Sequence, residues 1–520
     1  MNWEKETEEI EIRKRLALDL GGKERVKRQH EFKKLTIRER ILKISDPNTF
    51  MEIGQLTGDS EWAEGSLKKI TPAPYVMGLS KIDGRDVAIG GEDSTVRGGS
   101  SAGLARRKGG QGGFVEDMAK EFRIPLVNLI DGAGANVGSA LTTKYKRLPG
   151  KDGFERCVEL LGLVPVASAV LGSAAGGPAG RAVLSHFTVM VKQSSHLFAA
   201  GPPVVERALS TKLSKEDLGG WEIAAAESGS VDNVANTESE ALDQVKRFLS
   251  YLPQNVWDLA PFEKTNDPIE RREEELLNLV PRNRLLSYSM KRIIELIVDV
   301  DSFFEIQPLY GIAAIVGFAR IGGFPIGIIA NNPKINAGAP DKRESNKIEH
   351  FVEICNEFNI PLVFLVDVPG FMIGKEAESM GTLRAGMRAM YVGIQAIVPR
   401  FTVIIRKCYG MAGALNYVNN RLCYRMAWPS AEFGSIPVEG GVAAAFKREI
   451  ENSPDPMNRQ RELEKQIISL SSPFRTAEFF AVEDIIDPRE TRYRLARLIQ
   501  ASQSYLKTIL GPKAKYGVRP

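Results

Sequence analysis

One segment of this chain occurs twice. EFRIPLVNLIDGAG at residues 121–134 returns as EFNIPLVFLVDVPG at residues 357–370, with Glu, Phe, Ile, Pro, Leu, Val, Leu, Asp and Gly shared in order. In each half a helix-prone stretch precedes the motif and a run led by Val-Pro follows it: VPVASAVLGSAAGG from Val164, and VPRFTVIIRKCYGMAG from Val398. Both runs end in small residues suited to opening a helix. Self-similarity on this scale marks a repeated structural unit, and a duplicated domain is the economical explanation. A chain of 520 residues also exceeds what one core usually serves.

The repeated unit reads as α/β. Apolar runs of strand length (IPLVNLID, VPVASAVL, HFTVMV, IAAIVGFA, FPIGIIA, IPLVFLVD, FTVIIR) alternate with helix-length segments. Several are apolar at nearly every position, as strands covered on both faces must be. In YVMGLSKIDGRDVAIGG, Asp83-Gly84 predicts a hairpin turn. Residues 1–45 are charged and helix-prone, and the basic run from Lys23 to Arg40 is expected to be a solvated helix face rather than an anion-binding patch. The stretch from 253 to 285 is rich in proline and charge and reads as a linker. The expected division is 1–255, a linker at 256–284, and 285–520.

Composition excludes several classes of function. A net charge of +4 gives no concentrated basic footprint for nucleic acid. The cysteines Cys157, Cys355, Cys408 and Cys423 form no CxxC pair, so no zinc ribbon or disulfide framework is expected and a reducing compartment fits. The N-terminus lacks an apolar signal core, and no apolar run is long enough to span a membrane. A cytoplasmic protein is expected; the mitochondrial matrix is compatible, although there is no clear transit peptide. The four histidines (His30, His186, His196, His350) have no metal-ligand spacing, and no metal is expected.

Each half delivers a strand into a Gly/Ala-rich turn that starts a helix. Backbone amides there can approach a ligand closely, aided by the positive end of the helix. Two amides aimed at one carbonyl oxygen would stabilise an enolate. The candidates are Gly176 and Gly177 in GSAAGGPAG, and Met411 and Ala412 in YGMAGA. Close packing is the competing reading for either turn alone, but two such turns at matching places favour paired active-site halves. DGAGANVG fails as a dinucleotide fingerprint because Val137 occupies the third glycine position, one residue early. There is no GxxxxGK[ST] and no GxSxG elbow. The lack of an obvious nucleophile or acid/base cluster points to preorganised amides and to groups carried in by the substrates.

From about Leu35 to Ile499 the chain resembles the carboxyltransferase β subunits of propionyl-CoA, methylcrotonyl-CoA and related acyl-CoA carboxylases. The likeness rests on LTIRERILKISDPNTFMEIG, FTVMVKQSSHLFAAGPPVV, LGGWE, FFEIQPLYGIAAIVGFARIGGFPIGIIANNP, FNIPLVFLVDVPGFMIG, RKCYG and WPSAEFG, in that order. The resemblance implies two crotonase-like domains per chain in a homo-hexamer, with the N-terminal domain of one subunit facing the C-terminal domain of another. Acyl-CoA would lie on the N-terminal domain and biotin on the C-terminal one. It assigns the thioester oxygen to Gly176 and Gly177 and the biotin ureido oxygen to Met411 and Ala412. Arg97, Gly98, Gly99, Ser100, Gly134 and Ala135 match the acyl-CoA side, and Gly370, Phe371, Tyr409 and Gly410 the biotin side. It further implies that carboxybiotin releases CO2, that the biotin anion takes the α-proton, and that the enolate attacks the CO2, so the cofactor is the general base. No Met-Lys-Met occurs (Ser289-Met290-Lys291-Arg292 is the nearest string), so biotin must arrive on a partner that carries the carrier domain and the ATP-using biotin carboxylase.

The chain departs from the family pattern in three places. Asp-Ser-Gly-Gly-Ala-Arg is here Asp131-Gly132-Ala133-Gly134-Ala135-Asn136, closer to the methylcrotonyl type. Gly-Gly-Ala-Tyr-Asp is here Gly410-Met411-Ala412-Gly413-Ala414, so Ala414 replaces an Asp that tunes acyl length and leaves the acyl group open. Ser185-His186 replaces Thr-Asp, and His186 is expected to be a hydrogen-bonded strand-end residue. Two alternatives stand beside the carboxylase: a decarboxylase running the half-reaction backwards, and a non-catalytic scaffold subunit. A free crotonase-type hydrolase or hydratase lacks an acid/base pair in either turn.

Overall fold

A computed structural model describes residues 2–100, 113–134, 153–514 and 517–520. They form two compact units. The first runs to Asp258 and takes back Gly511–Pro520; the second is Leu259–Leu510.

The sheet of unit 1 has the order Met51–Glu52, Tyr75–Ile82, Arg85–Glu92, Leu126–Ile130, Val166–Val170, Phe187–Val191, Asn233–Ala235. The first two pairings are antiparallel and the rest parallel. Every residue of the strands Leu126–Ile130, Val166–Val170 and Phe187–Val191 is buried, which is why they read as unbroken apolar runs. The hairpin turn falls at Asp83 and Gly84, both with positive φ (49° and 78°), as a two-residue turn between twisted strands demands. A short parallel ladder, Ser173–Ala175 on His196–Phe198, stands apart from the main sheet.

Unit 2 repeats this plan. Its order is Phe304–Ile306, Ala314–Ile321, Phe324–Asn331, Leu362–Val368, Arg400–Tyr409, Tyr424–Ala427, Asp484–Ile485, again antiparallel for two pairings and then parallel. Glu432–Gly434 pairs with Lys407–Tyr409 just as His196–Phe198 pairs with Ser173–Ala175. The helix before the repeated motif is Phe114–Phe122 in the first unit and Lys342–Glu357 in the second, the latter opened by an Asp341/Glu344 capping box.

Two features differ from the sequence reading. The 259–284 stretch lies within unit 2, where the Glu263 amide donates to the Gly323 carbonyl (3.0 Å) and Arg271 holds Asp267 and the Val298 carbonyl. The basic run is not uniformly solvated either. Lys23–Glu31 buries nothing, but the next helix, Ile37–Ile44, buries Ile37, Arg40, Ile41 and Ile44. Arg40 is fully enclosed because acidic groups distant in sequence, Asp131 and Glu238, converge on it.

Candidate active-site turns

In unit 1 three loops interlock beyond the carboxyl ends of the parallel strands, where α/β sheets generally bind ligands. The Ala133 amide donates to the Gly98 carbonyl (3.0 Å), the Ala175 amide to Gly132 (3.2 Å), and the Ser100 hydroxyl to Gly134 (2.6 Å). The approach is close enough that a methyl on Gly99 would sit 2.6 Å from the Asp131 carbonyl oxygen. Gly98, Gly99, Ser100, Gly134 and Gly176 are thus brought together. Arg97 belongs to the same loop, its side chain paired with Asp59 (2.7 Å). Ala135 lies outside the described residues, as do Asn136 and Val137.

Gly176 holds φ 62° and ψ −121°, a conformation open essentially to glycine alone. A methyl there would meet no atom within 4 Å, so the backbone shape and not crowding demands glycine. Gly177 starts the helix Gly177–Val183, and Pro178 follows with no N–H to offer. The Gly176 and Gly177 amides donate to no backbone or side-chain acceptor among the described residues.

Beneath this cradle, at the end of the repeated strand, Asp131 accepts from Lys34 (2.6 Å) and Arg40 (3.1 Å), and Arg40 also holds Glu238 (2.6 Å). Burial opposes ionisation of Asp131, but Arg40 and Lys34 outweigh it and hold its carboxyl below the usual range. Asp131 is therefore an anchor rather than a free base.

A second polar group near the turn was not legible in the sequence. Ser173, three residues before Gly176, hydrogen-bonds His196 Nδ1 (3.1 Å) and Lys215 (3.1 Å), while His196 Nε2 meets Glu216 (3.2 Å). Burial, with Lys215 and Lys34 nearby, pulls His196 down to about 4, so its ring is neutral near pH 7. Residues 173, 196 and 215 share no local spacing, and only the pairing of the two short strands joins them. By contrast His186 is the strand-end residue expected: Nδ1 accepts from the Val166 amide (3.0 Å) and Nε2 faces the Leu161 carbonyl (2.9 Å).

The second turn occupies the matching place in unit 2. Gly410, with φ 60°, opens the helix Gly410–Leu415 as Gly176 precedes its own. Met411 is half exposed and Ala412 buried, and their amides also lack an acceptor among the described residues. Counting from the matching short ladders of the two units, Gly177 corresponds to Met411 and Pro178 to Ala412, so only the second turn can offer an amide at the later position. Ala414 is half-buried in the same helix. Tyr409 is buried, its hydroxyl on Glu432 (3.2 Å). Gly370, at φ 144°, has open space on its Cβ side, but the Phe371 ring leans on Gly386, where a methyl would come within 2.4 Å of it.

Asp367 repeats the role of Asp131. It is fully buried and accepts from Tyr288 (2.9 Å), Arg406 (3.1 Å) and the Lys407 amide (3.1 Å). Residues 336–338 repeat the 97–99 turn, with φ of 47°, 51° and 82° against 52°, 63° and 69°. The two turns share little sequence beyond one glycine, so that part of the duplication was invisible before the fold was known. All four cysteines are free, and among the described residues no group of three His, Cys, Asp or Glu side chains could hold a metal ion, nor is any helix long and apolar enough to cross a membrane.

The carboxyl transferase domain model matches residues 28–514. A carboxyltransferase subunit of propionyl-CoA carboxylase from Haloferax mediterranei is 34% identical over 527 residues, covering 100% of both chains. The methylmalonyl-CoA decarboxylase subunit alpha of Veillonella parvula is 34% identical and covers 91% of each. Among solved structures, the hexameric transcarboxylase 12S core with methylmalonyl-coenzyme A and methylmalonic acid bound superposes with a TM-score of 0.87 at 31% identity, over 97% of this chain and 96% of that one.

Proposed function

The chain belongs to the carboxyl transferase family, and from that premise we propose that it is the carboxyltransferase subunit of a biotin-dependent acyl-CoA carboxylase, moving a carboxyl group from carboxybiotin to the α-carbon of an acyl-CoA. Each unit is a crotonase-like α/β domain. The observation that carries the proposal is the pair of matching turns, each presenting main-chain amides without an acceptor among the described residues.

Gly176 and Gly177 hold the thioester oxygen. Their dipoles are fixed before the α-proton leaves, so the enolate charge is met without reorganisation. The loop from Arg97 to Ser100, with Gly134 and Ala135, borders the acyl-CoA. Met411 and Ala412 hold the ureido oxygen of biotin, with Gly370, Phe371, Tyr409 and Gly410 around it. Since the Phe371 ring is committed to Gly386, that residue serves through its backbone. Biotin arrives on a partner subunit and supplies both the carboxyl group and the base, and ATP is used only in that partner. Ala414, where relatives of the propionyl type carry Asp, opens the site to a branched or longer acyl group. The assembly is a homo-hexameric core. The buried free thiols support a cytoplasmic setting.

The test is reconstitution with the biotinylated partner, bicarbonate and ATP against short, branched and aromatic acyl-CoAs. Carboxylated product from at least one is expected, and none from any would overturn the proposal. The Veillonella relative favours one second reading, the same half-reaction run as a decarboxylase. That reading predicts a membrane decarboxylase subunit, not a biotin carboxylase, in the complex pulled down with the chain. A scaffold role predicts no acyl-dependent heat on titration with CoA esters.

A further inference from the structure

One ion pair in unit 1 joins the helix of the Gly176 turn to the loops around it. The helix Gly177–Val183 has seven residues, too few to hold a position by its own hydrogen bonds. Its buried residues are Pro178, Ala179, Arg181 and Ala182, so one long side chain lies among three small ones. Small apolar contacts have no preferred direction, whereas a charge-assisted hydrogen bond does. Arg181 Nη2 donates to Glu92 Oε1 at 2.5 Å, with the two side chains 1% and 5% exposed. Two hydroxyls also hold the helix, but at its far end: Thr188 on the Ala182 carbonyl (2.6 Å) and Ser185 on that of Arg181 (3.3 Å).

Glu92 closes the strand Arg85–Glu92, and its side chain touches both neighbouring loops. Its Oε2 accepts from the Asp131 amide (3.4 Å). A methyl on Gly132 would lie 2.7 Å from its Cγ, and one on Gly99 would lie 3.0 Å from its Cβ. The carboxylate thus stands between the 97–100 loop, the 131–134 loop and Arg181, which lies one helical turn beyond Gly177. Burial opposes the charge on Arg181, but Glu92, with Tyr75 and Glu116, outweighs it and holds the guanidinium ionised. Its Nε and Nη1 bond nothing among the described residues, so Nη2 alone carries the link.

We propose that Arg181 is a positioning residue for carboxyl transfer: by its bond to Glu92 it sets the helix against the 97–100 and 131–134 loops and so fixes where the Gly176 and Gly177 amides point. This role rests on the assignment of those amides to the thioester oxygen. The reconstituted complex is assayed with an acyl-CoA that the native protein carboxylates, so failure of the carboxylase reading would already show as an inactive native protein. Arg181→Met strands a buried carboxylate and should lower both melting temperature and kcat. The double variant Glu92→Gln/Arg181→Met strands no charge, and its melting temperature should return most of the way to the native value. Its kcat should remain at least about ten-fold down, against the roughly 100-fold that a misplacement of about 1 Å can cost. KM for the acyl-CoA should change less than about two-fold, because the amides meet full negative charge only once the enolate forms. Arg181→Lys keeps one charged donor where one is used, and should bring kcat to within about three-fold of native. A double variant with native kcat overturns the proposal, since the pair would then serve the fold alone. So does a loss confined to KM, or an Arg181→Lys protein as slow as Arg181→Met.

Discussion

At Gly176 an added methyl group would have room but not a permitted backbone, since φ 62° with ψ −121° costs an L-residue about 1–3 kcal/mol. Gly176→Ala must therefore turn its amide away. The expected result is a loss of about 100-fold or more in kcat/KM, the scale of one oxyanion donor, with a native circular dichroism spectrum. An unchanged kcat/KM would remove the turn from the mechanism. The sequence exposed this residue because a Gly/Ala-rich strand–helix turn recurs at the matching place in the second half, whereas close packing would account for either turn alone. It hid His196, whose partners come from three separate stretches. His196 titrates near 4 when folded and near 6.5 when unfolded, so its contribution to stability is complete above about 6.5 and disappears as pH falls towards 4. The difference in melting temperature between the native protein and His196→Gln should shrink over that window; a constant difference would contradict the assigned neutral ring.

At the scale of elements, the central strands were legible because burial on both faces leaves a continuous apolar run. The helix Ile37–Ile44 was only half legible. Its apolar positions fit a packed face, but a charge pattern cannot announce that Arg40 will meet Asp131 and Glu238, residues 91 and 198 positions away. Removing one member of a buried charge cluster strands the others. Arg40→Met should lower unfolding stability by about 3–5 kcal/mol, read from urea denaturation. A loss under about 1 kcal/mol, the range of exposed pairs, would mean that the cluster is hydrated.

For the whole molecule, the repeat at 121–134 and 357–370 was enough to anticipate two like units, because each copy includes a central strand and the turn beyond it. The 97–99 and 336–338 turns escaped, since their shared shape is set by backbone angles and not by side chains. Assembly is tested by light scattering on the purified 57.3 kDa chain. A mass of six subunits is expected, and a stable monomer at micromolar concentration would argue against a hexameric core.

The return of Gly511–Pro520 to the first unit has a bearing on how the protein is made. Val518 bonds the Leu161 carbonyl (3.3 Å), Gly517 lies against the Leu161–Gly162 backbone, and the Gly511 amide reaches Val256. The half translated first is thus the half completed last, because its closing segment leaves the ribosome only after all of Leu259–Leu510 has been synthesised. Nascent chains halted near residue 258 should resist protease less than the same residues in the released protein. Stopping translation after Leu510 should likewise soften the first unit more than the second, measurable as faster amide exchange there.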